Sequence, residues 1–305
     1  MNFESEHLTT ISILRKKINK WRNICILIIF IFVSIILSSF VGPNISTSIT
    51  KPNTIVKITI EDVILKDSYR DKILENIQNN QNIKAIILKV NSPGGDIVAS
   101  EELLYKLKKI SKNKPIVTSM ESVAASGGYL VALASDYILA RNGTITGSIG
   151  VIMQSGEVTD LANKIGIKFL NYKSSPLKSS PSFFEKENPT AKLAIQEVID
   201  DSHDFFVNIV KKHRKEKIQK ENFTKIFDGR IFNGRQAKKM GLIDAIGGDE
   251  EAISYLLQKT KIKKPNIINI DLKKKETGLF SNFKIENIFN WQNYKSAKLM
   301  AIYNN

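Results

Sequence analysis

The stretch AIILKVNSPGGDIVASEELLYKLKKI (85–110) decides the fold. Its first six residues are apolar but for one lysine, the pattern of a short strand buried on both faces of a parallel sheet. NSPGGD then breaks the chain direction, because proline fixes φ and the glycines reach backbone angles that other residues avoid. IVASEELLYKLKKI (97–110) follows with apolar residues at helical spacing. The pattern repeats downstream, with PIVTSM (115–120) as strand, a turn, SGGYLVALAS (126–135) as helix and DYILA (136–140) as strand. Upstream, IVKITI (55–60) reads as a strand and residues 68–80 as a helix. Strands alternating with helices predict an α/β fold of repeated βαβ units, a mainly parallel sheet with helices packed on it.

Farther along, residues 189–217 form the longest helical pattern, with Ile195, Val198, Ile199, Phe205, Phe206, Ile209 and Val210 on one broad face. In FDGRIFNGRQAKKMGLIDAIGG (227–248), Asn233 can cap a helix and Gly241 can end it, leading into the strand LIDAI. Residues 260–305 carry nine lysines against Asp271, Glu276 and Glu286, and read as a loosely ordered basic tail with one amphipathic piece around 283–300.

Before the strands lies ICILIIFIFVSIILSSFV (24–41), which holds no charge. Eighteen helical residues span about 27 Å, close to the hydrocarbon thickness of a bilayer. Arg15, Lys16, Lys17, Lys20 and Arg22 precede it against Glu4 and Glu6, and Trp21 sits where an interfacial aromatic belongs. Flanking basic residues stay cytoplasmic, so the expected order is a cytoplasmic segment (1–23), a transmembrane signal anchor (24–41), a linker (42–54), an extracytoplasmic domain (55–259) and the tail (260–305). A cleaved secretory signal is the rival reading, opposed by the long N-region and the lack of a small-x-small site. A core helix does not suit a segment apolar on every face. Cys25 lies in this segment and reads as an inert membrane residue.

The chain has 305 residues and a single cysteine, which excludes an intramolecular disulfide framework, a Cys-rich zinc site and an iron–sulfur cluster. Its net charge of +15 comes mostly from lysines scattered among acids, with only seven arginines and no basic stripe interleaved with aromatics, so nucleic acid is not an expected partner. Three histidines are present. His7 precedes the apolar segment, while His203 and His213 lie ten residues apart on one helix, off the i, i+4 spacing of a metal pair. Zinc hydrolysis and a Ser-His-Asp triad are therefore poorly supplied, and neither a metal nor an organic cofactor is expected.

Ser126, in SVAASGGYLVA, is the candidate nucleophile. It stands between a strand and a helix, flanked by Ala124, Ala125, Gly127 and Gly128, which let a substrate backbone approach. A helix N-terminus offers free N–H groups and the positive end of the helix dipole to a developing oxyanion. The alternative is that Ser126 merely caps the helix. VNSPGGD (90–96) is a second Gly-rich strand-to-helix turn, and in a parallel sheet both emerge at the same carboxyl edge, where sites form. Lacking a usable histidine, Ser126 needs another base, and a desolvated lysine can serve. The loop YKSSPLKSSPSFF (172–184) offers Lys173 and Lys178, between which physical reasoning alone does not choose.

Together VNSPGGD, SVAASGGYLVA, GTITGSIGVI, KSSPLKS and DGRIFNGRQAKKMGLID resemble the signal peptide peptidase A family, in its order and across residues 55–258. NSPGG alone is shared with the ClpP and crotonase folds. The resemblance implies a ClpP/crotonase-like fold and a membrane-anchored serine endopeptidase of the short, single-domain form, working on remnant signal peptides at the plasma membrane. It implies Ser126 as nucleophile, Lys178 as general base, Ser148 of GSIGV as the residue orienting that lysine, and Gly127 and Gly95 as oxyanion donors, with Gly94 as an alternate. Ser175 departs from the family, which usually has glycine there. The family also forms rings or domes whose serine and lysine come from adjacent subunits, so a homo-oligomer with peptide substrates is expected. Two other classes compete: a crotonase-type acyl-CoA enzyme, and a scaffold of the same fold that has lost activity.

Overall fold

A computed structural model describes residues 3–40, 49–273 and 300–302. The chain divides into two units, Met1–Ser48 and Ile49–Asn305. The described residues of the first form one helix, α1 (Phe3–Phe40), of 38 residues. It takes in nearly all of the charge-free run, and Trp21, Ile26, Leu27, Ile28, Ile29 and Phe30 are exposed on it. The side chains of residues 32 and 34–40 lie outside the described ones. Among the described residues no helix is long and apolar enough to cross a membrane. Most of the expected linker, residues 42–48, also lies outside the described residues.

The second unit alternates strand and helix. In order come β1 (Thr54–Glu61), α2 (Ser68–Asn79), β2 (Ile83–Ser92), β3 (Gly94–Asp96), α3 (Ile97–Ser111), β4 (Ile116–Ala125), α4 (Gly127–Ala132), β5 (Tyr137–Ala140) and β6 (Ile145–Gly147). After them follow α5 (Thr159–Lys164), α6 (Pro189–Arg214), α7 (Phe223–Ile226), β7 (Ile231–Asn233), α8 (Gly234–Lys239), β8 (Ala245–Ile246), α9 (Asp249–Thr260), β9 (Asn266–Ile270) and β10 (Met300–Ile302). The main sheet runs β7-β6-β4-β2-β1-β9, with β5 bridging β4 and β8. Its pairs are parallel except β6 with β7. The α/β class and the mainly parallel sheet are those the alternation predicts.

Burial explains the order. Ile86, Ile87 and Leu88 of β2 and Val117 of β4 are fully covered, as expected of central strands with helices on both sides. β4 is the pivot. Its first half pairs with β5 and its end, Val123–Ala125, pairs with β6, so the sheet divides just before Ser126. Asn233 caps α8 in a reciprocal capping box with Gln236, and Gly241 takes φ +79 beyond its end.

Three local expectations shift. The predicted strand LIDAI shrinks to Ala245–Ile246, because Asp244 is drawn into a buried ion pair with Arg214. Where a loose tail is expected, Asn266–Ile270 forms β9 and extends the sheet beside β1, with Ile268 and Ile270 two apart on its more buried face and Ile267 and Asn269 exposed. The amphipathic piece expected at 283–300 lies outside the described residues except for Met300. On α6 the apolar face is only half used: Phe206, Ile209 and Val210 are buried, whereas Leu193 and Val198 are 67% and 49% exposed.

Candidate active site

Two turns at the carboxyl edge of β2 and β4 build the site. In the first, the Ser92 hydroxyl donates to Asp62 O at 2.6 Å and accepts from Gly94 N–H at 3.1 Å. Gly94 sits at φ +114, a conformation costly for any residue with a Cβ. The Ile64 backbone presses on Gly95 so closely that a Cβ there would stand 2.2 Å from Ile64 O. Asp96 then caps α3, accepting from Ala99 N–H at 2.9 Å. β3 also carries a partner: β10 lies antiparallel on it, with Ala301 opposite Gly95.

Ser126 makes the second turn. It holds φ +52 and ψ −120, and such a conformation costs about 1–3 kcal/mol in a residue other than glycine. Its N–H donates to Gly147 O at 2.8 Å and its carbonyl accepts from Leu130 N–H at 2.9 Å. The side chain does not cap α4. Its Oγ is buried and has no hydrogen-bond partner, while the residue is 1% exposed. The capping alternative is therefore set aside by the geometry. α4 itself is short but firmly held, since its fully buried Tyr129 donates its hydroxyl to Leu242 O at 2.9 Å.

Glycines bring the two turns together. A Cβ on Gly127 would lie 3.2 Å from Gly95 N, and one on Gly128 would lie 2.6 Å from Ser92 O. Gly127 and Gly95 thus face each other beside Ser126, an arrangement that suits paired N–H donors. Ser148 arrives from the next strand. Because Ala125 pairs with Gly147 in the parallel β4–β6 ladder, Ser126 and Ser148 leave neighbouring strands at the same edge. Ser148 also has positive φ, +49, and its N–H donates to Arg230 O at 2.9 Å.

Lys178 is not part of this cluster within one chain. It lies on an exposed turn, its N–H donating to Ser175 O at 3.2 Å, and no hydrogen bond links it to Ser126 or Ser148. Lys173, the other candidate, is tied to Glu185, and that hydrogen bond is the main cause holding the Glu185 carboxyl below its ordinary pKa. Ser175 is not among the positive-φ residues, so a serine fits where a glycine is usual. His203 and His213 are both on α6, and burial, with Lys108 and Lys212 nearby, pushes His213 down to about 4. Among the described residues no group of three or more His, Cys, Asp and Glu side chains could hold a metal.

One buried side chain beside the site escapes sequence reasoning. Ser100, on the first turns of α3, is fully covered and its Oγ stands 2.4 Å from where a Gly127 Cβ would be. A serine four residues into an amphipathic helix reads as an ordinary polar position, and only the approach of α4 reveals it.

Residues 108–263 match peptidase family S49, and with that match over half its length the chain belongs to that family. It is 37% identical over 207 residues to a protein of Methanocaldococcus jannaschii named as a protease, covering 68% of this chain and 65% of that one. It is also 37% identical over 222 residues to a protein of Enterococcus faecium named as a signal peptide peptidase SppA, covering 72% and 63%. The chain thus spans somewhat less than two thirds of the length of these relatives. Among solved structures, the 1510-N membrane-bound stomatin-specific protease, as a mutant, is similar at TM-score 0.43 and 19% identity, covering 73% of this chain and 99% of that one.

Proposed function

We propose that the chain is a serine endopeptidase in which Ser126 is the nucleophile and Lys178 the general base. The observation that carries this reading is the state of Ser126: a buried hydroxyl without a partner, held in a strained turn beside the facing glycines Gly95 and Gly127. Folding alone gives no reason to keep such a group, whereas acyl transfer does. Ser126 Oγ attacks the scissile carbonyl as Lys178 takes its proton. The oxyanion rests on the N–H groups of Gly127 and Gly95, and water hydrolyses the resulting acyl-enzyme. Ser148 orients the lysine from beside the nucleophile.

The substrate is an extended peptide. β3, which carries Gly95, already accepts an antiparallel strand from β10, the mode by which an edge strand binds a peptide main chain. Remnant signal peptides, short and apolar, suit this mode, and a single-pass anchor at residues 24–41 would hold the domain on the extracytoplasmic side of the plasma membrane, near their source. The exposed Ile26–Phe30 stretch of α1 and the basic residues before it support that anchor.

Lys178 reaches Ser126 of a neighbouring copy in a homo-oligomer. Within one chain Ser126 has no partner and Lys178 is exposed, while Leu161, Ile165, Phe169, Leu170 and Leu193 present uncovered apolar surface around the same loop. The crotonase and inactive-scaffold alternatives give no reason for a free Ser126 hydroxyl. The test is cleavage of a labelled signal-peptide-like substrate by wild type, Ser126→Ala and Lys178→Ala, each checked for folding and oligomer size. Both variants should fall to background. A cleaving Ser126→Ala protein would overturn the serine mechanism, and an active Lys178→Ala protein would move the base elsewhere.

A further inference from the structure

Among the described residues, two hydroxyls are buried with no hydrogen-bond partner: Ser126 Oγ and Ser100 Oγ. Other buried hydroxyls find partners. Ser92 bonds to Asp62 O, Thr144 to Glu121 O, Thr146 to Ala124 O and Thr118 to Ser135. A helical serine usually satisfies itself on the carbonyl one turn back, but Ser100 makes no such bond. Its Oγ is instead directed at Gly127, 2.4 Å from the position a Cβ would occupy, and Gly95 N lies 3.2 Å from that same position. The unpartnered donor therefore lies against Gly127, on the side of it that Gly95 N also approaches.

We infer that Ser100 is a third oxyanion donor, its hydroxyl hydrogen-bonding the tetrahedral intermediate alongside the N–H groups of Gly127 and Gly95. This rests on the reading of Ser126 as nucleophile. A donor left unpaired at rest and paired in the transition state stabilises the latter alone, so it acts on kcat and not on KM. It also costs the resting protein the desolvation of a buried, unpaired donor, a cost that alanine, smaller by one hydroxyl, removes. A serine that only filled space under α4 would have neither property.

The experiment compares wild type, Ser100→Ala and Ser100→Cys for peptide cleavage, for the rate of Ser126 modification by a fluorophosphonate (whose phosphoryl oxygen takes the oxyanion position), and for melting temperature. Ser100→Ala should lose about 100-fold or more in kcat and in modification rate, with KM within about twofold and melting unchanged or higher. Ser100→Cys, of similar size with a weak donor, should fall between. If wild type is modified at Ser126 and Ser100→Ala is modified equally fast, the Ser100 role is wrong while the nucleophile stands. If wild type is not modified at Ser126, the nucleophile reading fails first. Should Ser100→Ala melt lower with KM and kcat disturbed together, Ser100 is structural and the inference is overturned; Ser100→Cys decides the point if the alanine variant does not fold.

Discussion

Ser126 donates its backbone N–H to the carbonyl of Gly147 at 2.8 Å, and Ser148 begins where that carbonyl ends. One ladder step therefore fixes the separation of the proposed nucleophile from the serine proposed to orient its base. Both residues sit at positive φ, +52 and +49, so each turn carries strain that the β4–β6 pairing offsets.

Replacing Ser148 by glycine tests that division of labour. Glycine adopts φ +49 without strain, so Ser148→Gly should melt at or above the wild-type temperature. Without its hydroxyl, cleavage should fall at least about tenfold, the scale of a mispositioned general base. Thermal melting and initial rates on the same preparation check both halves, and wild-type activity would remove Ser148 from the mechanism.

Gly95→Ala should damage fold and function together. Its Cβ would meet the Ile64 carbonyl at 2.2 Å, and because this is backbone the turn itself has to move. Overpacking of this kind costs about 1–3 kcal/mol. Displacing one oxyanion donor costs about 100-fold or more in kcat. Denaturant unfolding and steady-state kinetics measure the two effects.

Pairing of β10 with β3 predicts competition. A peptide that adds to β3 must displace Met300–Ile302, so a chain shortened to residue 273 should cleave short peptides with a lower KM. An unchanged or raised KM in the shortened, folded protein would mean that β10 does not compete for this edge.

Acid should unfold the domain through Asp244. Burial raises its pKa, but the hydrogen bonds and charge of Arg214, joined by Lys217 and the Ile138 N–H, outweigh burial and hold the carboxyl below its ordinary value. A folded-state pKa below the unfolded one contributes stability above about pH 4 that is lost as pH falls through the folded value. Asp244→Asn leaves Arg214 buried with its charge unpaired, so it should lose about 3 kcal/mol near neutrality and flatten the acid limb. Urea midpoints between pH 2.5 and 7 would reveal both effects.

Mixing two inactive proteins tests the sharing of sites between copies. If Lys178 serves the Ser126 of a neighbour, Ser126→Ala and Lys178→Ala subunits assembled together should recover part of the wild-type rate. If each chain completes its own site, the mixture stays dead.

The sequence reveals the sheet and the two turns because both depend on local rules. Apolar runs such as 85–90 declare buried strands, and Pro-Gly-Gly and Ser-Gly-Gly declare the breaks after them. Ser126 is legible as a candidate, but its orphaned hydroxyl is not, since this depends on Gly147 drawing the backbone into a left-handed turn. Ser100 and β10 matter only through tertiary contacts with Gly127 and Gly95, residues distant in sequence. Composition leaves Lys173 and Lys178 open; Lys173 is ion-paired with Glu185, and Lys178 is the proposed base.

The most direct measurement treats the intact protein with a fluorophosphonate and maps the adduct by peptide mass spectrometry, in wild type and Lys178→Ala. The mechanism predicts a single adduct on Ser126 in wild type, formed far more slowly in the folded, assembled Lys178→Ala protein. An adduct on another serine, or labelling of Ser126 at an undiminished rate without Lys178, would contradict it.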